Sequence, residues 1–582
     1  MVGKIVVSLV SLILLVGVII GVVVVVHQNG NHKEDQSTKV QMKKVHEFCQ
    51  AAEFKDSCAK SLESVAKNDS ATINDYLMAA FQTTVEEVKK GLQEAGKTSV
   101  NKESDPYNHM AIEDCKELLQ RAVEELEDAL SLVGETDTQS LNEYTYDLLN
   151  WLSAVYSYQS MCVDAIDKPE LKTAIQNGVV NATQLTNNAL NIVAKISDLF
   201  QSFNIQIPDN LINNSTSSDS NSPHRRLLEA NKIDQDGYPT WFPVADRKLL
   251  AKSGKGKGKG HGGAAGGAGV APVLPPIGPG PITPHAVVAK DGSGKFKTVT
   301  DAVRAYPPNH QGRYIIYIKA GVYNEQVLID KKQTNVFMYG DGAGKSIITC
   351  DKNVKILKFT TSKSATVGPE GEQAVALRIN GDRAAVFDCS MEGFQDTLYY
   401  QSHRQFYRNC VISGTVDFIF GMGSAVIQNS EIIVRKCGPT QKNTITADGR
   451  ELQSEITGLV LQNCRIVPDK ELFPVRFAVQ SYLARPWKQL STNVFMESEI
   501  GDFIRPEGYL KWDDHPFDQT CLVYEYANRG PGAATNLRSK LFKNFKVLSP
   551  QEATKYTVGA WLRGNEWLPG TNAPFYFGLG GK

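Results

Sequence analysis

The feature that most constrains this chain is an internal repeat. Cys389-Ser-Met-Glu-Gly393-Phe-Gln-Asp396-Thr-Leu-Tyr399 returns as Cys410-Val-Ile-Ser-Gly414-Thr-Val-Asp417-Phe-Ile-Phe420, with its Cys, Gly, Asp and apolar-aromatic positions displaced by 21 residues. A shorter echo joins Asn to Cys or Ser at Asn409-Cys410, Asn429-Ser430 and Asn463-Cys464. Short β-branched and aromatic runs surround these words, among them Tyr314-Ile315-Ile316-Tyr317-Ile318, punctuated by Gly, Asn and Asp. One such repeat cannot bury its apolar face alone, so repeats stack, and the expected fold is all-β, a parallel β-helix. An antiparallel sandwich would not put the same residue at the same phase of consecutive repeats.

If each repeat is one coil, Asp396 and Asp417 hold equivalent places on neighbouring coils, about 4.8 Å apart. Two carboxylates that close cannot both ionise cheaply, so the pKa of one is pushed up. An acid and a base made from one residue type is a recurrent catalytic device. Gln373 precedes Gln395 by 22 residues, which adds an amide donor from a third coil to the same patch. Alternation across Thr415 to Phe420 turns Val416, Phe418 and Phe420 inward and Asp417 outward, into a groove. From spacing alone, a purely structural polar ladder is the alternative.

The first half reads differently. Lys4 precedes an uncharged apolar run, Ile5 to Val26, long enough to span a bilayer as a helix. No Ala-x-Ala-like cleavage site follows, so a signal-anchor is expected, with a cleaved signal peptide as the second reading. Entry into the secretory pathway agrees with sequons at Asn68, Asn181, Asn213 and Asn214 and with ten cysteines. From about Val40 to Phe203 the pattern is helical. Cys115, Leu118, Leu119, Ala122, Val123, Leu126, Leu130 and Val133 form one apolar stripe, and four or five such helices predict an antiparallel bundle. Cys49 and Cys58 lie near enough to staple a helical hairpin, and Cys115 and Cys162 fall on successive long helices. Free buried thiols are the alternative.

A polar, Gly/Lys-rich and then Pro-rich stretch follows, which can bury no core. It carries the near-repeats His224-Arg225-Arg226-Leu227-Leu228 and Asp246-Arg247-Lys248-Leu249-Leu250, candidate sites for proteolytic processing. From His285 onward the chain holds 36 Lys and Arg against 29 Asp and Glu, net +7; the remainder holds 26 against 34, net −8. A basic half suits a polyanion and would also attract its own acidic leader. Nucleic-acid binding explains the charge but not the repeated Asp words.

Gly393-Phe-Gln-Asp-Thr-Leu-Tyr399, Gly414-Thr-Val-Asp-Phe-Ile-Phe-Gly421, Gln373-Ala-Val-Ala-Leu-Arg378 and Arg485-Pro-Trp487 resemble the four motif segments of plant pectin methylesterases (pectinesterases). The likeness runs from about Val287 to Leu579. The helical half, with its Cys pattern, resembles the inhibitor-like pro region that such enzymes carry. The resemblance implies a right-handed parallel β-helix catalytic domain behind an all-α four-helix-bundle pro region. The expected segments are a signal-anchor and stem (1–38), the pro region (39–205), a disordered processing linker (206–284) and the β-helix domain (285–582). It implies that Asp417 attacks the methyl ester of a galacturonate while Asp396 is acid and then base. Gln373 and Gln395 would hold the oxyanion, Arg485 would orient Asp417, Trp487 would face a sugar ring, and Thr361 would touch substrate. No metal or cofactor is implied. Implied partners are methylesterified homogalacturonan, a subtilisin-like processing protease and separate pectinesterase inhibitor proteins, with a monomeric catalytic domain in the cell wall after processing.

Several positions depart from the family pattern. Between Val367 and Gln373 about one coil's length is missing, which leaves a second reading: a non-catalytic pectin-binding or inhibitor-like protein with an impaired cleft. Ala484 replaces a Gly before Arg485. Asp448 replaces a Gln and is expected to add negative charge near the groove. Ser430 stands where Cys464 would find its usual partner, with Cys437 as a substitute.

Overall fold

The computed structural model describes residues 43–203 except 69, residue 205, residues 282–350, and residues 373–580 except 514 and 572. The Ile5 to Val26 run, both dibasic pairs (Arg225-Arg226 and Arg247-Lys248), Asn213, Asn214 and Thr361 lie outside the described residues. Among the described residues no helix is long and apolar enough to cross a membrane.

Four long helices make the first half: α1 (Ile73–Lys97), α2 (Pro106–Glu135), α3 (Thr145–Asp164) and α4 (Pro169–Ala194). Their starts are written locally. The Thr72 hydroxyl accepts from the Asp75 amide while the Asp75 carboxylate accepts from the Thr72 amide, a reciprocal cap on α1. Asp105 caps α2 ahead of Pro106, and Pro169 opens α4, where a missing N–H costs nothing. The helices form a bundle in which α1 and α3 each pack against both α2 and α4. Disulfides join Cys49 to Cys58 and Cys115 to Cys162, the second tying α2 to α3.

The second half is a right-handed parallel β-helix, the hand expected of parallel crossovers. Its strands fall into parallel sheets of ten, seven and six. Each coil visits them in turn: Ala384–Phe387, Ser390–Glu392 and Leu398–Tyr400, then Arg404–Arg408, Val411–Gly414 and Ile419–Gly421. The 21-residue repeat is literally the pairing register, with Leu398 opposite Ile419 and Tyr399 opposite Phe420. Leu398, Ile412, Ile419 and Leu461 fill the coil interior.

The Asn echo marks the corner between the first and second sheets. Asn409, Asn429 and Asn463 have φ of 51°, 54° and 52°, a left-handed conformation that Asn tolerates. Asn429 Nδ2 donates to Asn409 Oδ1 at 2.7 Å and Asn463 Nδ2 to Asn429 Oδ1 at 3.0 Å. Stacked coils thereby satisfy half-buried turns with one another's side chains. Ser430 is absorbed similarly, its hydroxyl accepting from the Cys410 amide at 3.1 Å. Cys437 and Cys464 are both free, so the substitute pairing is not made.

The shortened connection leaves no step in the stack. Val336–Gly340 pairs with Ala384–Phe387, Ser346–Thr349 with Ser390–Glu392, and Val327–Ile329 with Leu377–Ile379. The described strands on either side of residues 351–372 therefore stay in register, and Gln373 still bridges to Gln395.

Asn429→Ala removes the middle rung and leaves a Cβ-bearing residue in left-handed backbone without a compensating amide. Unfolding in urea is expected to show a loss of about 2 kcal/mol. An unchanged midpoint would show that the ladder is decoration.

Candidate active site

The repeated Gly and Asp build one corner, between the second and third sheets. A Cβ on Gly393 would collide with Thr397 and one on Gly414 with Phe418 and the Phe394 carbonyl, so only Gly lets the chain turn this tightly. Three residues later the aspartates complete the turn at φ of 64° (Asp396) and 48° (Asp417). Strained conformations of this kind are sustained where surrounding structure over-determines them. This corner also corrects the alternation expected along Thr415 to Phe420. Phe418 and Ile419 both enter the coil interior, whereas Phe420 points out of it, because Asp417 breaks the period of two.

Both carboxyl groups are buried, Asp396 at 5% and Asp417 at 4% exposure. Arg485 grips Asp417, its Nε donating to both oxygens at 2.8 and 3.0 Å and an Nη donating to Oδ2 at 2.5 Å. The Thr444 hydroxyl, one coil on, donates to Asp417 Oδ1 at 2.6 Å and accepts from the Asp417 amide at 3.0 Å. Burial, and then the charge of Asp417, push Asp396 well above the usual carboxylate range, against the pull of Arg485. Burial alone would lower the Arg485 guanidinium, yet Asp417 more than compensates and holds it raised. The result is a neutral acid beside a carboxylate clamped by arginine.

Gln373, Asp396 and Asp417 line one cavity of about 270 Å³ with Arg378, Tyr399, Phe420, Trp487 and Trp512. Gln395 is half-buried and follows Gln373 through the backbone bridge, but it does not line the cavity. Tyr399 stacks on Phe420 with centroids 4.3 Å apart, Trp487 meets Phe420 edge-on at 6.0 Å, and Arg485 lies 4.2 Å over Trp512. Thr444, Trp512 and Arg378 escaped the sequence reading of roles. Thr444 and Trp512 stand outside the repeated words, while Arg378 closes a quoted segment and is displayed by sheet register.

The opposite wall of the cavity belongs to the helical half: Tyr107, Asp114 and Leu118 of α2, and Met161 and Asp164 of α3. Tyr399 donates its hydroxyl to Met161 Sδ, and one apolar cluster runs from the bundle into Val375, Tyr399, Phe420 and Met422. Ion pairs ring this contact. Lys331 meets Asp128 at 2.9 Å, Lys332 Glu124 at 3.2 Å, Arg404 Asp147 at 2.7 Å and Lys488 Asp164 at 2.7 Å. At its centre His403 Nε2 lies 3.1 Å from Glu125 Oε1, each side chain 2% exposed. The acidic leader is therefore seated on the basic half, across the cavity.

A sequence model of the family described as Pectinesterase matches residues 285–372 and 364–565, meeting at the shortened connection. Pectinesterase 4 of Arabidopsis thaliana is 43% identical over 615 residues, covering 100% of both chains. The chain belongs to the pectinesterase family. A second family, described as Plant invertase/pectin methylesterase inhibitor, matches residues 43–192 of the helical half. A probable pectinesterase/pectinesterase inhibitor of Brassica napus is 41% identical over 99% of this chain and 100% of its own length. Among solved structures, a pectin methylesterase from carrot is 42% identical, covering 52% of this chain and 100% of its own, with a TM-score of 0.48. This pectinesterase is thus an ester hydrolase carrying an inhibitor-family bundle.

Asp448 requires a correction. It does not add charge to the groove surface but is wholly buried behind Trp487. Its carboxyl accepts from the amides of Thr492 (2.6 Å) and Arg450 (3.2 Å) and from the Tyr400 hydroxyl (3.1 Å), and its own carbonyl accepts from the Trp487 amide at 3.1 Å. Burial pushes this acid up to about 7. An acid whose folded value exceeds its unfolded one stabilises fully below the unfolded value and loses that contribution as pH climbs. The native state should therefore weaken by a few kcal/mol between about pH 4 and pH 7. Urea unfolding across that window should show this slope in the wild type and a flatter one in Asp448→Asn; equal slopes would refute the assignment.

Proposed function

We infer that this pectinesterase removes methyl esters from cell-wall homogalacturonan by a two-aspartate covalent route. The observation that carries the reading is the pairing of a neutral Asp396 with an Arg485-held Asp417 on one cavity wall. The Asp417 carboxylate attacks the C6 carbonyl carbon of a methylated galacturonate, and the carbonyl π electrons move to oxygen. Gln373 donates to that oxyanion, with Gln395 as its second donor in the expected set. Collapse of the intermediate breaks the bond to methoxide, which leaves as methanol with the proton of Asp396. The now anionic Asp396 takes a proton from water as that water attacks the acyl-enzyme, freeing Asp417 and restoring the acid. Arg485 keeps Asp417 ionised and aimed, and Trp487 with Tyr399 and Phe420 offers aromatic faces to the sugars.

The intact chain serves as a zymogen, since α2 and α3 fill the space a substrate chain would need. Its apolar leader carries it into the secretory pathway as a membrane-anchored precursor. Sequons on the exposed bundle residues Asn68 and Asn181 support that route. A subtilisin-like protease cuts at a dibasic pair, and the β-helix then acts in the wall, where separate inhibitor proteins can engage it.

The test uses the full chain with a specific protease sequence in the 206–284 segment, cut after folding and separated from its helical half. Methanol release from highly methylated pectin is expected, and Asp417→Ala should reduce it roughly 10⁴-fold or more. Arg485→Lys should cost about 10²-fold, because a point charge replaces a fork. A folded wild-type product that releases no methanol would overturn the reading.

Docking of the two halves should respond to pH through His403. Burial would depress this imidazole, but Glu125 outweighs burial and holds it above the ordinary 6.5. The contribution is therefore complete below about pH 6.5 and fades as pH rises through the raised value. After cleavage the halves should separate more readily at pH 8 than at pH 5.5 in size-exclusion runs. His403→Gln should remove most of that difference; a pH response untouched by His403→Gln would assign it elsewhere.

A further inference from the structure

We propose that Cys389 and Cys410 join as a disulfide that clamps the coil bearing Asp396 to the coil bearing Asp417. The bond forms where the chain folds in contact with an oxidising thiol pool, so the inference rests on the secretory-pathway reading above but not on the esterase one.

A column of small residues stands one step beyond the asparagine corner. Val411 pairs with Ser390 and with Glu431, Glu431 with Arg465, and Arg465 with Glu499. The residues that precede them therefore stack in the order Cys389, Cys410, Ser430, Cys464, Ser498, all of them buried. Where a Cys meets the Ser of the next coil, the hydroxyl accepts from the Cys amide. That distance is 3.1 Å for Cys410 with Ser430 and 3.0 Å for Cys464 with Ser498. Within this column, the step from Cys389 to Cys410 alone sets thiol beside thiol.

The sulfurs lean towards the preceding coil. Cys410 Sγ donates to the Val386 carbonyl at 3.6 Å, and Val386 belongs to the coil of Cys389. Cys464 Sγ reaches the Ile427 carbonyl at 3.3 Å in the same way, but the coil beneath it offers Ser430. A rise of about 4.8 Å per coil falls within the Cα separation of roughly 4.4–6.8 Å that a disulfide spans. A rise of two coils does not, which excludes Cys410 with Cys464. Asp396 and Asp417 each lie seven residues beyond one of the paired cysteines. The clamp thus fixes the rise between the two coils just ahead of the corner that brings the carboxyls together.

Both groups are thiols in this structure. Burial, and then Cys410 and Asp388 beside it, push the Cys389 thiol well above its ordinary value, and burial pushes Cys410 up to about 12. The thiolate is the attacking species, so the closed stack is inert and the bond forms during folding. The Cys410 thiolate attacks one sulfur of a low-molecular-weight disulfide such as oxidised glutathione, and one glutathione thiolate leaves. The Cys389 thiolate then attacks the Cys410 sulfur, the second glutathione thiolate leaves, and the S–S bond closes. Two electrons pass from the cysteines to the glutathione disulfide, and the two thiol protons end on the two glutathiones.

The test uses the full chain made in cultured plant cells. The cells are lysed in denaturant with excess N-ethylmaleimide, which stops exchange, and the chain is digested with trypsin without reductant. Arg404 and Arg408 lie between the two cysteines, so digestion separates them unless they are bonded. The expected product is the Cys389 peptide joined to the Cys410 peptide, lighter by two hydrogens than the two thiol peptides together, with Cys464 carrying the maleimide. In Cys410→Ser, labelling of Cys389 should rise at least about tenfold. The Cys49–Cys58 and Cys115–Cys162 bonds are the internal controls. Labelled Cys389 and Cys410 beside intact control bonds would overturn this inference alone, as would either one joined to a different cysteine. Labels on the control cysteines and on this pair would overturn the secretory-pathway reading and this inference together.

Discussion

The spacing of stacked parallel coils is the constraint on which the rest depends. Because each coil lies about 4.8 Å above the last, residues at one phase of the repeat become neighbours in space. Amides at one corner then satisfy each other, as Asn409, Asn429 and Asn463 do. Carboxyls at another corner are forced together, as Asp396 and Asp417 are. The same geometry that makes the asparagine stack stabilising makes the aspartate pair costly, and burial together with that cost pushes Asp396 well above the usual carboxylate range. Arg485 and Thr444, supplied by later coils, hold the charged member.

The helical half is matched to that site by shape and by sign. Its apolar face continues into the aromatic row of the third sheet, while acidic side chains of α2 and α3 meet Lys331, Lys332, Arg404 and Lys488 around the rim. The opposed net charges of the two halves are thus an interface read at low resolution. The exposed Lys332–Glu124 pair adds little by itself. The buried His403–Glu125 contact differs, because loss of the imidazole proton in the docked state would leave a carboxylate away from water without its counter-charge.

Much of this was legible in the sequence because the register is the repeat. The 21-residue shift, the Asn echo and the paired Asp words each correspond to a pairing or a stack. What was not legible depends on breaks in periodicity. The outward turn of Phe420 follows from the left-handed backbone at Asp417, which alternation cannot foresee. The burial of Asp448 follows from strand and loop packing behind Trp487, where residue type alone suggested a surface charge. Thr444 lies 27 residues beyond Asp417, a longer coil than the repeat would suggest. The roof that α2 and α3 place over the cavity has no local signature beyond charge.

The left-handed backbone at Asp396 and Asp417 also has an evolutionary corollary. Few side chains tolerate that conformation, and asparagine is foremost among those that share it with aspartate. A single-base change from Asp to Asn would therefore preserve the corner, the coil stack and the cavity-lining aromatics while abolishing the proposed nucleophile or acid. In this fold a catalyst and a silent carbohydrate reader are adjacent in sequence space, with almost no loss of architecture between them. Lineages that duplicate such genes have a short path to proteins that hold the polymer without cutting its esters.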